Sequence, residues 1–210
     1  MSTTTPIIVG IAGGSGSGKT TLTKKLLEIL GEANVCCLNH DSFYHDQSHK
    51  EVEERAKTNF DHPDSLDTDL MLNNLRILKS GDCCNIPIYD FATHSRIERT
   101  MMVKPRKIIL LDGILLFTHP ELAREMDIRV FVDASADVRL SRRLQRDIAE
   151  RGRTVDQVLH QYHATVKPMH EAWVEPSKVE ADLIVHSEGH SMDVTIEMLT
   201  NHLKVKAGIF

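Results

Sequence analysis

The sequence predicts an α/β fold: a mostly parallel sheet with helices packed on both faces. Two observations carry that expectation. Five short apolar runs alternate with helical patterns along the chain, and a glycine-rich loop joins the first run to the first helix. Strands that alternate with helices connect by right-handed crossovers, which align the strands in parallel and bury both faces of the sheet.

The elements come in this order. Runs at 7–12 (IIVGIA), 35–39 (VCCLN), 108–111 (IILL), 128–132 (IRVFV) and 183–185 (LIV) read as buried strands. Helical patterns lie near 19–30, 66–79, 136–150 and 154–171. The stretch SGDCCNIPIYDFATHSR breaks this rhythm. Its Pro87, Tyr89 and Phe91 suggest short extended segments, a hairpin inserted at about 83–105 that stands off the main sheet. No repeat or low-complexity linker interrupts the chain, so residues 1–210 read as one domain with insertions.

Composition limits the function. At 210 residues the chain can bury a substantial core, and its 41% hydrophobic and 26% charged fractions are ordinary for a soluble protein. A net charge of −5 argues against a dedicated nucleic-acid binder but leaves room for a local basic site. MSTTTP has neither the basic nor the apolar region of a signal peptide, and no apolar run approaches the roughly 18 residues of a membrane span. A cytoplasmic protein without membrane partners is the expectation. The cysteines form two adjacent pairs, Cys36–Cys37 and Cys83–Cys84, without C-x-x-C spacing for zinc. Cys36 and Cys37 sit in an apolar run and read as small buried residues.

The loop Gly13-Gly14-Ser15-Gly16-Ser17-Gly18-Lys19-Thr20-Thr21 matches the P-loop pattern G-x-x-x-x-G-K-[ST]. Glycines let the backbone wrap closely around phosphate, and the following helix aims its positive end at the same anion. Lys19 would reach the β- and γ-phosphates, and Thr20 would offer its hydroxyl to magnesium. The motif alone does not separate a kinase from a hydrolase or a switch.

In a parallel sheet, functional groups gather beyond the carboxyl ends of the strands. Asp41 follows the second run and Asp112 the third. Asp41-Ser42 also reads as a helix cap and Asp112-Gly113 as a plain turn. Two acids at strand ends beside a phosphate loop favour function. Asp112 resembles a Walker B acid near magnesium, and Asp41, beside the same ion, is free to act as general base. Arg139, Arg142, Arg143 and Arg146 recur at helical spacing, with Arg151 and Arg153 beyond. A solvated helix face would interleave more acids. The better reading is an arginine-rich helical lid, about 139–155, over the phosphates.

Taken together, GIAGGSGSGKTT, DSFYHDQSH, KTNFDHPDSLD, YDFATHSR, LDGIL, FVDASADVRLSRRLQRDIAERGR, QYHATVKPMHEAWVEPSK and ADLIV resemble the uridine kinase (uridine–cytidine kinase) family. They span almost the whole chain in order. The resemblance implies a P-loop kinase sheet with a hairpin and a helical lid. It implies transfer of the ATP or GTP γ-phosphoryl group to the 5′-hydroxyl of uridine or cytidine, with Mg2+. It assigns Asp41 as base, with Thr20 and Asp112 at magnesium. Asp61 and Arg143 would hold the ribose, with Arg153 on the same side. Tyr89 and His94 would frame the pyrimidine, and Gln161 would complete the pocket. Arg146 and Arg151 would meet phosphates. His160, His163 and His170 carry no site context and read as structural or surface residues. Family members are commonly homotetramers, so a homo-oligomer is implied.

Departures are few. Asp112 stands where the family usually has Glu, His40 where Gln is common, and VHSEGH replaces a segment usually containing proline and glycine. Two other classes stay open on the residues alone. A different small-molecule P-loop kinase, resembling phosphoribulokinase or pantothenate kinase, would share the loop and Asp41 but lack the aromatic–histidine pair of YDFATH. A non-catalytic nucleotide-binding switch would leave the base and lid without purpose.

Overall fold

The computed structural model describes residues 5–55, 57–189 and 191–209, with Ser191 described by its backbone alone. Residues 1–4 of MSTTTP and His190 of VHSEGH lie outside the described residues. Five parallel strands form the main sheet: β1 (Ile7–Ala12), β2 (Val35–Asn39), β5 (Ile108–Asp112), β6 (Ile128–Asp133) and β7 (Leu183–His186). Their spatial order is β2-β5-β1-β6-β7. All five were expected from apolar runs, each within a residue of its observed bounds.

Alternation along β1 and β5 splits the core in two. Ile8, Leu38, Ile109, Leu111 and Phe131 face one side, together with Met71 and Leu75 of α3 (Thr68–Lys79). Val9, Ile11, Ile108, Leu110 and Val132 face the other side. There they meet Leu22, Leu26 and Leu30 of α1 (Lys19–Leu30), which share one helix face by their four-residue spacing. Both layers are covered, as a parallel sheet requires.

The hairpin stands apart as a second, two-stranded antiparallel sheet, β3 (Cys84–Asp90) and β4 (Ser95–Val103). Its register shifts at Pro87/Ile88, where proline cannot donate to the ladder. Cys36 and Cys37 are only half-buried, less than expected. Burial still raises their thiols to about 11 and about 12, so they stay protonated and inert.

Three helical features depart from the sequence expectation. Two helices, α2 (Val52–Arg55) and α4 (Pro120–Arg124), are too short to show a period. A C-terminal helix, α9 (Ser191–Ala207), was not expected. Its signal was present, because Met192, Ile196, Leu199 and Leu203 recur at helical spacing and are all buried. The helix expected at 154–171 runs further. The helix α6 (Val155–Gln161) continues through π-helical turns Tyr162–Val166 and His170–Val174, with α7 (Lys167–Met169) and α8 (Glu175–Ser177) after them, to Glu180. Pro168 and Pro176 each follow a π turn. A widened turn relieves the crowding between the proline ring and the preceding carbonyls.

His40, directly after β2, points into the core rather than toward its neighbour Asp41. It is 1% exposed, with Nε2 3.1 Å from Thr68 Oγ1. Gly113 makes room for it, since a Cβ there would lie 2.4 Å from the His40 Cβ. Burial, with a smaller contribution from His119, drives the His40 imidazole down to about 3. Its folded value therefore lies below the unfolded value of about 6.5. The neutral form is the one that fits the fold, so the contribution is complete above pH 6.5 and is lost as pH falls toward 3. Stability should decline across that window by up to about 1.4 kcal/mol per pH unit from this residue. Urea denaturation from pH 7 to pH 4 on wild type and His40→Leu should show a flatter profile in the variant; identical slopes would contradict the assignment.

Candidate active site

Parallel register sets the stage. Ile11 pairs with Asp112, and Asp112 with Asn39, so three strand ends lie side by side. The P-loop leaves β1 between the carboxyl ends of β5 and β6. Gly13, with φ +138°, lies so close to β6 that an added Cβ would be 2.2 Å from the Val132 carbonyl oxygen. Only glycine allows that approach. Lys19 is buried and Nζ donates to the Gly14 carbonyl at 3.0 Å. Burial pulls its ammonium below the ordinary value, against the carboxylates of Asp112 and Asp41.

Both alternative readings of the acids fail. Asn39, not Asp41, caps the short 3-10 turn His40–Phe43: its Oδ1 accepts from the Asp41 N–H at 2.9 Å. The Asp41 carboxylate is left free to line the cleft. Asp112 is 5% exposed and faces the first turns of α1, where Thr20 and Thr23 hydroxyls lie 3.5 and 3.4 Å from Oδ2. Burial raises the Asp112 carboxyl, with Lys19 opposing and Asp41 adding to the rise. Thr20, Asp41 and Asp112 present hydroxyl and carboxylate oxygens to one space, the hard donors that Mg2+ prefers. The donor set fits that ion.

The arginines do not lie on a solvated face. They sit on α5 (Ala136–Arg151) and the turn after it, and Arg139 and Arg143 are buried. Arg143 Nη1 donates to Ser15 Oγ at 2.8 Å, tying the helix to the P-loop. Arg142 donates to Ser187 Oγ at 2.7 Å and to the Ser17 carbonyl at 3.4 Å, so the segment after β7 braces the loop. Arg146, Arg151 and Arg153 line the cleft.

On the far side, Asp61 is 8% exposed and opens onto the same cleft. Its side-chain donor is the Thr165 hydroxyl at 3.4 Å. Burial raises its carboxyl, countered by Arg143. Gln161 Oε1 accepts from Arg143 at 2.8 Å and from Arg153 at 2.6 Å. Tyr89 joins an aromatic wall with Tyr44, whose ring centre is 5.0 Å away. His94, at the hairpin tip, stacks on Phe60 at 5.3 Å and 17°. Its φ of +53° is rare for a residue with a side chain, and such strain concentrates at working sites. Burial lowers the His94 imidazole, helped by Arg153 and Arg151, which favours the neutral ring.

One cleft therefore gathers Ser15, Lys19, Thr20, Asp41, Asp61, Tyr89, His94, Asp112, Arg143, Arg146, Arg151, Arg153 and Gln161. Gly13, Gly14, Gly16, Ser17 and Gly18 build the loop at its edge. Thr21 is exposed and does not line the cleft. Sequence reasoning missed Asn39, Tyr44, Phe60, Phe91, Thr165 and Asp147. Phe60 stands next to Asp61, and Phe91 two residues after Tyr89, both positions it did single out. It read His170 as a structural or surface residue, and the structure shows what it packs against. His170 lies against the P-loop, and a Cβ on Gly14 would meet its ring at 3.0 Å. Burial lowers it to about 4, with Arg139 adding to the drop, so the ring is neutral.

Residues 8–194 match the Phosphoribulokinase / Uridine kinase family. The chain belongs to this family. It is 47% identical over 201 residues to the uridine kinase of Chloroflexus aurantiacus, covering 96% of each chain. It is 44% identical over 212 residues to the uridine kinase of Bacillus mycoides, covering all of both. Among solved structures, phosphoribulokinase from Rhodobacter spheroides superposes with a TM-score of 0.63 at 14% identity, over 87% of this chain and 70% of that one. D-glycerate 3-kinase from Cryptococcus neoformans gives 0.60 at 18%, over 86% of each. These two likenesses establish the shared P-loop kinase fold. Among the described residues, no helix is long and apolar enough to cross a membrane.

The Asn39 cap is testable without activity. Asn39→Ala should cost about 1 kcal/mol in urea denaturation, the usual scale for a lost cap, and Asn39→Ser should recover most of it. Equal stability of all three proteins would mean that the turn presenting Asp41 is held by something else.

Proposed function

We propose that the protein transfers the γ-phosphoryl group of ATP or GTP to the 5′-hydroxyl of uridine or cytidine, giving the nucleoside monophosphate and a nucleoside diphosphate. One observation carries this reading: a phosphate loop, a free carboxylate and an aromatic pocket with a buried acid open onto one cleft. Near-full-length identity to uridine kinases supports it.

The P-loop amides and Lys19 hold the donor phosphates, in the P-loop manner. Thr20, Asp112 and Asp41 would hold Mg2+, which offsets charge on the phosphates. Asp61 accepts hydrogen bonds from the ribose hydroxyls, with Arg143 and Arg153 beside it. Tyr89 and Phe91 pack the pyrimidine. Neutral His94 offers one donor and one acceptor nitrogen, so it can serve both the uracil oxygen and the cytosine amino group at the 4-position. Asp41 then takes the proton of the 5′-hydroxyl as it attacks. Arg146 and Arg151, on a lid of about 139–155, stabilise charge on the group in flight and keep water from competing. A cytoplasmic homo-oligomer completes the proposal. Exposed apolar side chains on β7 and α9, among them Ile184, Val194 and Met198, support self-association.

The decisive experiment measures ADP formed with ATP, Mg2+ and a nucleoside panel. Uridine and cytidine should support turnover; thymidine, purine nucleosides, ribulose 5-phosphate and pantothenate should not. ADP release independent of any acceptor would overturn the reading. In Asp41→Asn the shape remains but the proton has no acceptor, so kcat should fall by roughly 10²–10⁴ while nucleotide binding persists. Near wild-type kcat at saturating uridine would remove Asp41 from the base role.

Asp61 should set the preference for ribose. A deoxyribose leaves its buried carboxylate short of a donor, a loss of about 1–3 kcal/mol. Asp61→Ala should therefore lower kcat/KM for uridine and narrow the uridine-to-deoxyuridine ratio. An unchanged ratio would assign the discrimination elsewhere.

A further inference from the structure

Asp147 is fully buried, at 0% exposure, on the inner face of α5. Four guanidinium groups converge on it. Arg146 donates to Oδ1 through Nε at 2.9 Å and lies 2.8 Å away through Nη2. Arg151 lies 3.6 Å from the same oxygen. The other oxygen, Oδ2, faces Arg153 at 3.3 Å and Arg143 at 3.7 Å. The backbone repeats the arrangement. The Asp147 carbonyl accepts from Gly152 N–H, which closes the helix, and from Arg153 N–H at 3.1 Å. Side chain and main chain of one residue thus orient the whole turn that carries Arg151 and Arg153.

The division between the two oxygens matches the two ends of the cleft. Oδ1 holds the pair proposed for the phosphates. Oδ2 holds the pair that also shares Gln161 and faces Asp61. We infer that Asp147 is a positioning residue that couples donor occupancy to nucleoside affinity. This rests on the nucleoside-kinase reading above.

The physics is a competition for one carboxylate. Burial opposes its ionisation, but the adjacent arginines win and hold its carboxyl below the usual range. Asp147, with Asp61 beside Arg143 and Arg153 and Asp41 beside Arg151, sets three carboxylates against four guanidiniums, so the cluster keeps excess positive charge until a polyanion arrives. When Arg146 and Arg151 turn toward donor phosphates, they release Oδ1. The Asp147 charge then acts more fully on Arg143 and Arg153, which steadies both beside Asp61 and Gln161. A bound donor should tighten nucleoside binding, and by linkage nucleoside should tighten donor binding by the same factor. A role limited to helix stability would make no such link.

Calorimetry tests this on the intact protein. Uridine is titrated with and without a saturating non-hydrolysable ATP analogue and Mg2+, in wild type, Asp147→Asn and Asp147→Glu. In wild type, the analogue should lower the uridine Kd by about fivefold or more, the ordinary range of coupling between sites. In Asp147→Asn, whose amide cannot anchor four cations, the ratio should fall toward one. Asp147→Glu keeps the charge but displaces the oxygens, so its ratio should lie between. If Asp147→Asn does not fold, the glutamate variant decides: an intermediate ratio supports the inference, and a full wild-type ratio overturns it. An Asn variant with the wild-type ratio, or a wild type that binds both ligands independently, also overturns it. A wild type that binds no uridine overturns the nucleoside reading and this inference with it.

Discussion

A row of three residues across the sheet, Ile11, Asp112 and Asn39, decides where chemistry can occur. Parallel pairing puts all carboxyl ends on one edge, and the order β2-β5-β1 puts the phosphate loop next to both acids. A slip of one residue in β5 would swing Asp112 to the opposite face and bury its carboxylate in the core below. Leu111 and Asp112 hold their sides because Leu110 and Leu111 already fill the two cores. Packing of the apolar residues therefore specifies the polar ones, although no apolar residue on these strands needs to touch a ligand.

On this frame the site is built from opposed charges at close range. Lys19, Arg143, Arg146, Arg151 and Arg153 share a cleft with Asp41, Asp61 and Asp112. Burial shifts Lys19 down and Asp61 and Asp112 up, so each group's charge depends on its neighbours. Phosphates and a divalent cation are the ligands that the proposed function places in such an arrangement. The hairpin adds what the sheet cannot supply. Its tip and the segment before α3 bring Tyr89, Phe91, Phe60 and His94 together, an aromatic wall suited to a flat base.

Much of this was legible in the sequence for physical reasons. The P-loop spacing is imposed by backbone contact with phosphate, and buried parallel strands leave unbroken apolar runs. Asp41, Asp61, His94 and the arginines were assigned in part through resemblance, because nothing local marks a cleft made from seven separate segments. Asp147 is the instructive omission. It stands four residues after Arg143 and four before Arg151, a spacing visible in the chain that drew no notice among so many arginines. Only its burial distinguishes a hub from a surface neighbour. The π turns were illegible for a different reason. A widened turn adds one residue to a single turn, a local change that apolar spacing alone does not mark.

The central claim is that donor and acceptor meet in one cleft with Asp41 beside the 5′-hydroxyl. The most direct measurement is the identity of the product. Wild-type protein with ATP, Mg2+ and uridine should yield one equivalent of ADP per phosphorylated nucleoside, with the new phosphorus resonance coupled to the 5′-methylene protons in 31P–1H spectra. Phosphate on the 2′ or 3′ oxygen, or ADP accompanied by inorganic phosphate instead of a nucleotide, would contradict the account.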